Sequence, residues 1–328
     1  MVVVAVAGGT GDLGQLIVDS LLATGKHVVY SLTRRAPASA HLTTGPNGKQ
    51  YSTIVQTDYM EEKAITAILE ERSVHTVICA LNVDFEDVSN AQLRLIRAAA
   101  ATTCVRRFAP SEFNVDYDLP DSVLPYPEKR FHVAARREIE KTMLEYTYFC
   151  CGMFMDYYGM PRIKSPLRPM YSILDLQHNI IYIPGDGSAT MAVTMANDVG
   201  RYVAAAVDLP EWPRVLNIIG SQLIVKHLAD LAIEARKPQQ VHVEWYPIQQ
   251  YLDHKVPTLP SNEPIIHHFP GGEPQLRALL CDLDAAVGLG AYDIAHVEGS
   301  RNLVEVLGDS VEKPMSIEKM MEMVWGQV

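Results

Sequence analysis

Short apolar runs alternate with stretches of helical periodicity in the first part of the chain. Residues 2–7 form an unbroken apolar run that ends at Gly8, the pattern of a strand buried on both faces of a parallel sheet. Apolar residues then recur at helical spacing from Leu13 to Leu22, and a second apolar run covers residues 27–32. A strand, a helix and a strand within about 30 residues predict a right-handed βαβ unit.

The same alternation continues to Cys150. It predicts strands at residues 53–56, 76–81, 107–109 and 146–150, and helices at residues 61–71, 91–101 and 128–143. Regular alternation of strands and helices over such a length is typical of a parallel sheet with helices on both faces. We therefore predict an α/β fold with a Rossmann-type doubly wound parallel sheet.

After Phe154 the pattern becomes less regular. Proline-containing segments at residues 158–171 and 246–274 interrupt shorter elements, as expected of excursions that build a second lobe. Further elements are predicted as a helix at 197–207 and a strand at 215–219, which return to the main sheet, and a helix at 223–236 in the second lobe. The predicted boundaries are a dinucleotide-binding domain at residues 1–153, joined by about 194–219, and a smaller α+β substrate-binding domain at residues 154–193 and 220–328.

A glycine-rich turn joins the first strand to the first helix. Gly8, Gly11 and Gly14 have the spacing GxxGxxG, in which glycine permits a tight turn and a close approach of the backbone to a diphosphate. The N-terminus of the following helix adds free N–H groups and a partial positive charge. The turn predicts dinucleotide binding, and the alternative is a turn needed only for packing. We expect the neighbouring residues to contribute to the cofactor site: Thr10, Asp12 and Leu13.

The end of the second strand indicates which dinucleotide is bound. Arg34 and Arg35 stand where an NAD-preferring protein usually has an acidic residue. A guanidinium holds a 2′-phosphate with charge-assisted hydrogen bonds worth about 1.5–3 kcal/mol, so we predict NADPH as the cofactor. The alternative is a solvated basic loop. We also expect Leu81 near the cofactor, and Asp58 either at the adenine edge or in a helix cap.

Composition and charge exclude several other classes of protein. The chain has 328 residues, with 28 Lys and Arg against 39 Asp and Glu, so its formal net charge is −11 at pH 7. Such a surface repels phosphate backbones and anionic lipid. Five cysteines without a CxxC pair favour neither a disulfide framework nor a zinc site. We expect a cytoplasmic protein that binds a small molecule but no metal, nucleic acid or membrane, and the oligomeric state stays open, a homodimer included.

Several segments together resemble the isoflavone-reductase-like and NmrA-like atypical short-chain dehydrogenases. They are GGTGDLG at residues 8–14, RFAPSEF at 107–113, RREIE at 136–140, EYTYF at 145–149 and the stretch 181–207. The resemblance spans most of residues 1–220. It implies an NADPH-binding Rossmann domain and a reductase of a small, largely apolar aromatic or polyketide-like metabolite with a carbonyl, enone or quinone-methide-type acceptor. It also implies an alternative, because some NmrA-like members bind the dinucleotide without turnover and act as redox sensors.

The sequence offers candidates for the group that moves the proton. A typical short-chain dehydrogenase has Tyr and Lys four residues apart, and this chain has no such YxxxK pair at a suitable place. The resemblance implies a catalytic Lys four residues before the Arg pair, where this chain has His132. A neutral His serves as acid or base near pH 7, so we expect His132 to donate the proton, with Lys129 supplying charge and Glu128 favouring its protonated form. The alternative is a solvated basic helix face with the chemistry elsewhere.

Two further residues complete the expected site. Ser111 follows the strand at 107–109, at the edge of the sheet where ligands bind, so its hydroxyl is expected to contact substrate or nicotinamide, or else to stabilise a turn. Phe154 follows the strand at 146–150. The resemblance places an aromatic ring near the nicotinamide there, and the alternative for Phe154 is packing in the core.

Overall fold

The computed structural model describes residues 1–35 and 42–326. The strands up to Cys150 are β1 (Val3–Ala7), β2 (Val28–Thr33), β3 (Leu42–Thr44), β4 (Gln50–Ser52), β5 (Ile54–Gln56), β6 (Thr76–Cys79), β7 (Arg107–Ala109), β8 (Glu145–Tyr146) and β9 (Tyr148–Cys150). The helices between them are α1 (Asp12–Ala23), α2 (Glu62–Glu71), α3 (Glu86–Ala100) and α4 (Lys129–Ile139).

The rest of the chain has shorter strands and more helices. Its strands are β10 (Met153–Phe154), β11 (Leu174–Asp175), β12 (Ile180–Pro184), β13 (Thr190–Thr194), β14 (Val215–Asn217), β15 (Ser221–Ile224), β16 (His242–Tyr246) and β17 (Ser300–Asn302). Its helices are α5 (Asp156–Gly159), α6 (Ala196–Ala206), α7 (Val225–Ala235), α8 (Ile248–Leu252), α9 (Gly272–Gly288), α10 (Leu303–Leu307) and α11 (Ile317–Trp325). Short 3₁₀ helices cover Pro260–His268, Ile294–His296 and Gly308–Ser310.

A parallel sheet with the strand order β5-β2-β1-β6-β7-β8 forms the centre of the fold. Residues 4–7 of β1 are fully buried, because β2 and β6 pair with it on either side and helices cover both faces. On one face α1 packs against α6, and on the other α3 packs against α2 and α4. This arrangement confirms the predicted α/β fold with a doubly wound parallel sheet.

A separate three-stranded sheet, β17-β14-β9, follows β8 directly along the chain. Only Thr147 separates β8 from β9, and β9 pairs in parallel with β14, which in turn pairs in parallel with β17. Helix α6 approaches α1 closely, since a Cβ at Gly200 would lie 2.8 Å from the carbonyl oxygen of Leu16. Residues 196–217 therefore lie against the N-terminal elements.

The remaining strands form smaller sheets, β10-β13-β15 and β11-β12-β16, beside a β3-β4 hairpin. The segment 246–274, expected to be irregular, contains α8 and the 3₁₀ helix Pro260–His268, whose first proline suits the N-terminal turn of a helix. The 17-residue helix α9 was not predicted, although Leu276, Leu280 and Ala286 on it are buried. In the described part of the chain, no helix has the length and apolar character needed to cross a bilayer.

A buried ion-pair network fixes α4 against the segment after β7. The Arg136 side chain is 2% exposed and donates from Nε and Nη2 to Glu112 Oε2, at 3.0 and 2.6 Å. It also pairs with Asp116 and Asp118 and stacks over the ring of Tyr148 at 4.4 Å. Burial raises the pKa of the Glu112 carboxyl, and the Arg136 charge opposes this rise. The network sets the position of the helix that carries His132.

We expect Arg136→Met to lower the free energy of unfolding by about 3–5 kcal/mol, because it leaves a buried carboxylate without its partner. Arg137→Met is the matched control, since its side chain is 48% exposed and its ion pairs lie at the surface; its loss should stay below about 1 kcal/mol. Urea unfolding followed by tryptophan fluorescence measures both. Equal losses for the two variants would contradict a structural role for the buried network.

Candidate functional site

The loop between β1 and α1 is held close to the end of β6. Gly8 has a φ of +77°, and a Cβ there would lie 2.7 Å from the carbonyl oxygen of Ala80. A Cβ at Gly14 would lie 2.1 Å from the carbonyl oxygen of Gly8, which only glycine avoids. In the described chain, no side chain caps α1 at Gly11, so N–H groups of its first turn remain for a ligand.

The residues expected to bind the ribose lie at the same edge of the sheet. The Thr10 hydroxyl lies 3.3 Å from that of Thr33, the last residue of β2. Arg34 and Arg35 follow directly and are exposed, and the carbonyl oxygen of Arg34 accepts a hydrogen bond from the Gln56 side chain at 3.3 Å. The structure thus brings the basic pair next to the glycine loop.

Asp58 has a local structural partner. Its Oδ1 accepts a hydrogen bond from the backbone N–H of Met60 at 2.9 Å, which forms a turn before α2. The helix-cap alternative for Asp58 is wrong, because the N-cap of α2 is Glu61. Tyr59, the residue after Asp58, has a positive φ and donates from its hydroxyl to the carbonyl oxygen of Leu32 at 2.9 Å. Tyr59 thereby fixes the end of β2, a role that sequence reasoning missed, and an adenine contact of Asp58 stays a prediction.

Ser111 and Leu81 meet where β6 and β7 end. The Ser111 hydroxyl donates to the carbonyl oxygen of Leu81 at 2.7 Å, and the Ser111 backbone N–H donates to Gln92 Oε1 at 2.7 Å. The hydroxyl hydrogen is therefore engaged within the protein, and its oxygen lone pairs are what remains for a ligand. This agrees with the stabilising role that was the alternative for Ser111, and its contact with substrate stays a prediction.

His132 lies on α4 with both ring nitrogens directed at protein groups. Nδ1 is 3.0 Å from the carbonyl oxygen of Ser111, Nε2 is 3.5 Å from Asp84 Oδ1, and the ring stacks on Tyr117 at 3.7 Å. Because a carbonyl oxygen only accepts hydrogen bonds, Nδ1 carries a hydrogen, and Nε2 is the atom that gains or loses a proton. The side chain is only 5% exposed, so a proton exchanged with a ligand must pass through a neighbouring group.

That neighbour is Asp84, which sequence reasoning missed. Its side chain is 39% exposed, and its Oδ1 also accepts a hydrogen bond from the Tyr126 hydroxyl at 2.7 Å. Burial raises the pKa of Asp84, but the hydrogen bonds and the charge of His132 outweigh burial, so the pKa is lowered and the carboxylate stays ionised. The sequence signal that could have identified Asp84 is its position three residues after Leu81, at the carboxyl edge of the sheet.

Lys129 and Glu128, at the start of α4, were also expected to act with His132. Lys129 donates from Nζ to the carbonyl oxygen of Leu119 at 2.7 Å and pairs with Asp121 at 2.6 Å. These contacts bind it to the segment before α4, and its supply of charge to the reaction stays a prediction. The carboxylate beside His132 is that of Asp84, from another element, rather than Glu128 on the same helix.

The first turn of α1 also faces the segment after β10. Phe154 contacts Tyr157 edge-on with ring centroids 6.1 Å apart, and Phe154 and Leu13 pack against one small apolar cluster that includes Leu167. Asp12, the first residue of α1, pairs with Arg168 at 3.0 Å. Phe154, Tyr157 and Leu13 thus form an apolar wall beside the glycine loop, and the contact of Phe154 and Leu13 with the cofactor stays a prediction.

Comparisons with known proteins find a matching family model, two oxidoreductases of similar sequence and a reductase of the same fold. The model of the NmrA-like family matches residues 2–251. The chain is 37% identical to oxidoreductase BOA1 of Botryotinia fuckeliana over 68% of this chain and 72% of that protein. It is 28% identical to oxidoreductase swnN of Metarhizium robertsii over 93% of each. The ternary complex of leucoanthocyanidin reductase from Vitis vinifera shares the fold, with a TM-score of 0.71, 19% identity and 98% of each chain covered.

Proposed function

Because the chain belongs to the NmrA-like family, as the motifs predicted, we propose that it is an NADPH-dependent reductase of a small, largely apolar aromatic or polyketide-like metabolite. The observation that carries the proposal is that a phosphate-binding glycine loop and a histidine–carboxylate pair lie at the carboxyl ends of neighbouring strands. The oxidoreductase names of the two fungal relatives support a redox reaction.

The glycine loop fits the diphosphate of a dinucleotide. The cradle between Gly8, Gly14 and the end of β6 has no room for a Cβ at either glycine, so a diphosphate meets backbone there. The N–H groups of Gly8, Gly9 and Gly11 donate within the protein, so the N–H groups in the first turn of α1 are the donors that the diphosphate meets. Arg34 holds the 2′-phosphate of the adenine ribose at the end of β2. NADPH bound in this way supplies the hydride.

The chain itself supplies the proton. Hydride addition to a carbonyl or conjugated carbon forms a C–H bond and leaves negative charge on the substrate oxygen, which must be protonated. His132 gives up the proton at Nε2. The partly exposed Asp84, ionised at rest, holds this proton only transiently and passes it to the substrate oxygen, where the O–H bond forms. Solvent returns a proton to the pair through Asp84. The carbonyl of Ser111 keeps the ring in the orientation that this transfer needs.

The apolar wall favours a flat, weakly polar substrate. Phe154, Tyr157 and Leu13 offer ring edges and aliphatic surface beside the glycine loop, and such surfaces bind aromatic rings by apolar burial and edge-to-face contact. Carbonyl, enone and quinone-methide acceptors combine such a ring with an electrophilic carbon.

The purified protein is tested with NADPH and a panel of quinones, enones and aryl ketones, following absorbance at 340 nm. We expect oxidation of NADPH with at least one class of acceptor. Binding of NADPH with no turnover by any acceptor would favour a non-catalytic redox sensor instead. Absence of binding by NADPH and NADH alike would reject both functions.

We expect Arg34→Ala to reduce the preference for NADPH over NADH by roughly 10- to 100-fold, the value of one or two charge-assisted hydrogen bonds to the 2′-phosphate. Dissociation constants of both nucleotides, from quenching of tryptophan fluorescence, measure the preference. Arg106→Ala removes an exposed arginine just before β7, at the opposite edge of the sheet, and should leave the preference unchanged. An unchanged preference in Arg34→Ala would rule out its proposed contact.

We expect His132→Ala and Asp84→Asn each to lower turnover by roughly 100- to 10,000-fold, the usual contribution of a positioned acid, with the dissociation constant of NADPH unchanged. Turnover with the best acceptor of the panel and nucleotide titration measure the two effects. Asp87→Asn, an exposed carboxylate in the first turn of α3, is the control and should keep full turnover. If His132→Ala combined with Lys129→Ala keeps full activity, the proposed acid is wrong.

A further inference from the structure

Arg168 reaches the phosphate-binding loop from a distant part of the chain. Its Nε lies 3.0 Å from Asp12 Oδ2, although the two residues are 156 positions apart. Asp12 is the first residue of α1, directly after Gly11. We propose that Arg168, in the segment after α5, is a cofactor-binding residue whose guanidinium contacts the diphosphate. This inference rests on the proposed use of NADPH.

The backbone around Arg168 is held in place on both sides. Three residues before it, the Ser165 hydroxyl donates to the buried carboxylate of Asp156 at 2.6 Å. Three residues after it, Tyr171 exchanges two hydrogen bonds with the buried Asn262 side chain, at 3.0 and 2.8 Å. Both anchors lie in the buried part of the protein, so the segment presents Arg168 at a defined place beside α1.

The charge of Asp12 explains why an arginine is useful there. A carboxylate at a helix N-terminus interacts well with the helix dipole, but it repels a diphosphate that binds the same N–H groups. The Arg168 guanidinium offsets this repulsion. Within the described residues, only its Nε has a recorded partner, so the Nη groups remain as a two-pronged donor for phosphate oxygens.

The position of Arg168 also matches the path that the cofactor must follow. Besides pairing with Asp12, the Arg168 charge helps to lower the pKa of Asp84 and opposes the rise that burial causes in the pKa of Tyr157. Asp84 belongs to the histidine–carboxylate pair and Tyr157 to the apolar wall, where the nicotinamide end of the cofactor belongs. A dinucleotide that runs from the glycine loop to this end passes Arg168 with its diphosphate. The side chain is 71% exposed, so it is free to turn towards a bound anion.

The experiment compares Arg168→Ala with Lys164→Ala by titrating NADPH into the full chain at low and moderate salt. We expect Arg168→Ala to raise the dissociation constant roughly 10- to 100-fold, and to make binding less dependent on salt because one ionic contact is lost. Lys164→Ala removes an exposed positive charge from the same segment and should change the constant less than about twofold, as expected of screened charges without contact. Both substitutions lie at the surface, and thermal unfolding checks that the variants are folded.

Two further measurements separate direct contact from simple neutralisation of Asp12. If Arg168 only neutralises Asp12, then Asp12→Asn restores full affinity to Arg168→Ala, and the proposed contact is wrong; we expect partial restoration. Binding of 2′-AMP, which has no diphosphate, should be weakened by Arg34→Ala and not by Arg168→Ala. Wild-type affinity in Arg168→Ala overturns this proposal alone, whereas failure of the wild-type protein to bind NADPH overturns the proposed function.

Discussion

The backbone contact between Gly14 and Gly8 is the constraint on which the rest of the site depends. A Cβ at Gly14 would lie 2.1 Å from the Gly8 carbonyl oxygen, so α1 begins directly against the loop that leaves β1. Because β1 is in the centre of the sheet, this contact puts the helix N-terminus at the carboxyl ends of β1, β2 and β6. Every other group proposed to bind cofactor or substrate is placed relative to that point.

The contact between His132 and Asp84 depends on a second set of buried contacts. Arg136 and Glu112, buried together, hold α4 against the segment after β7, and the same segment presents the Ser111 carbonyl to His132. Burying such charges is costly and adds little net stability. Its effect here is positional, because the ring of His132 is fixed in one orientation with Nε2 directed at Asp84.

Local charge matters because the chain as a whole is acidic, with a net charge of −11. A phosphate-rich cofactor is repelled by that average and must be attracted by a few arginines close to its path. Arg34 comes from the end of β2 and Arg168 from the segment after α5. Positive charge is thus supplied to the loop from two separate parts of the chain.

The sequence by itself determined the parts of this protein that depend on local periodicity. Strand β7 lies at the predicted residues 107–109. Helix α4 begins one residue later and ends four residues earlier than the predicted helix at 128–143. The glycine spacing between β1 and α1 identified the loop for the same reason, since turn, strand and helix are all encoded within a few consecutive residues.

Only the tertiary structure decided which groups meet. Sequence spacing offered Glu128 as the partner of His132, since it lies one turn away on the same helix, but the carboxylate at Nε2 is Asp84, which follows β6. Lys129 contacts Leu119 and Asp121 instead. Arg168 pairs with Asp12 although the two residues are 156 positions apart. Such pairs depend on how separate elements pack, which the spacing of residues along one element does not encode.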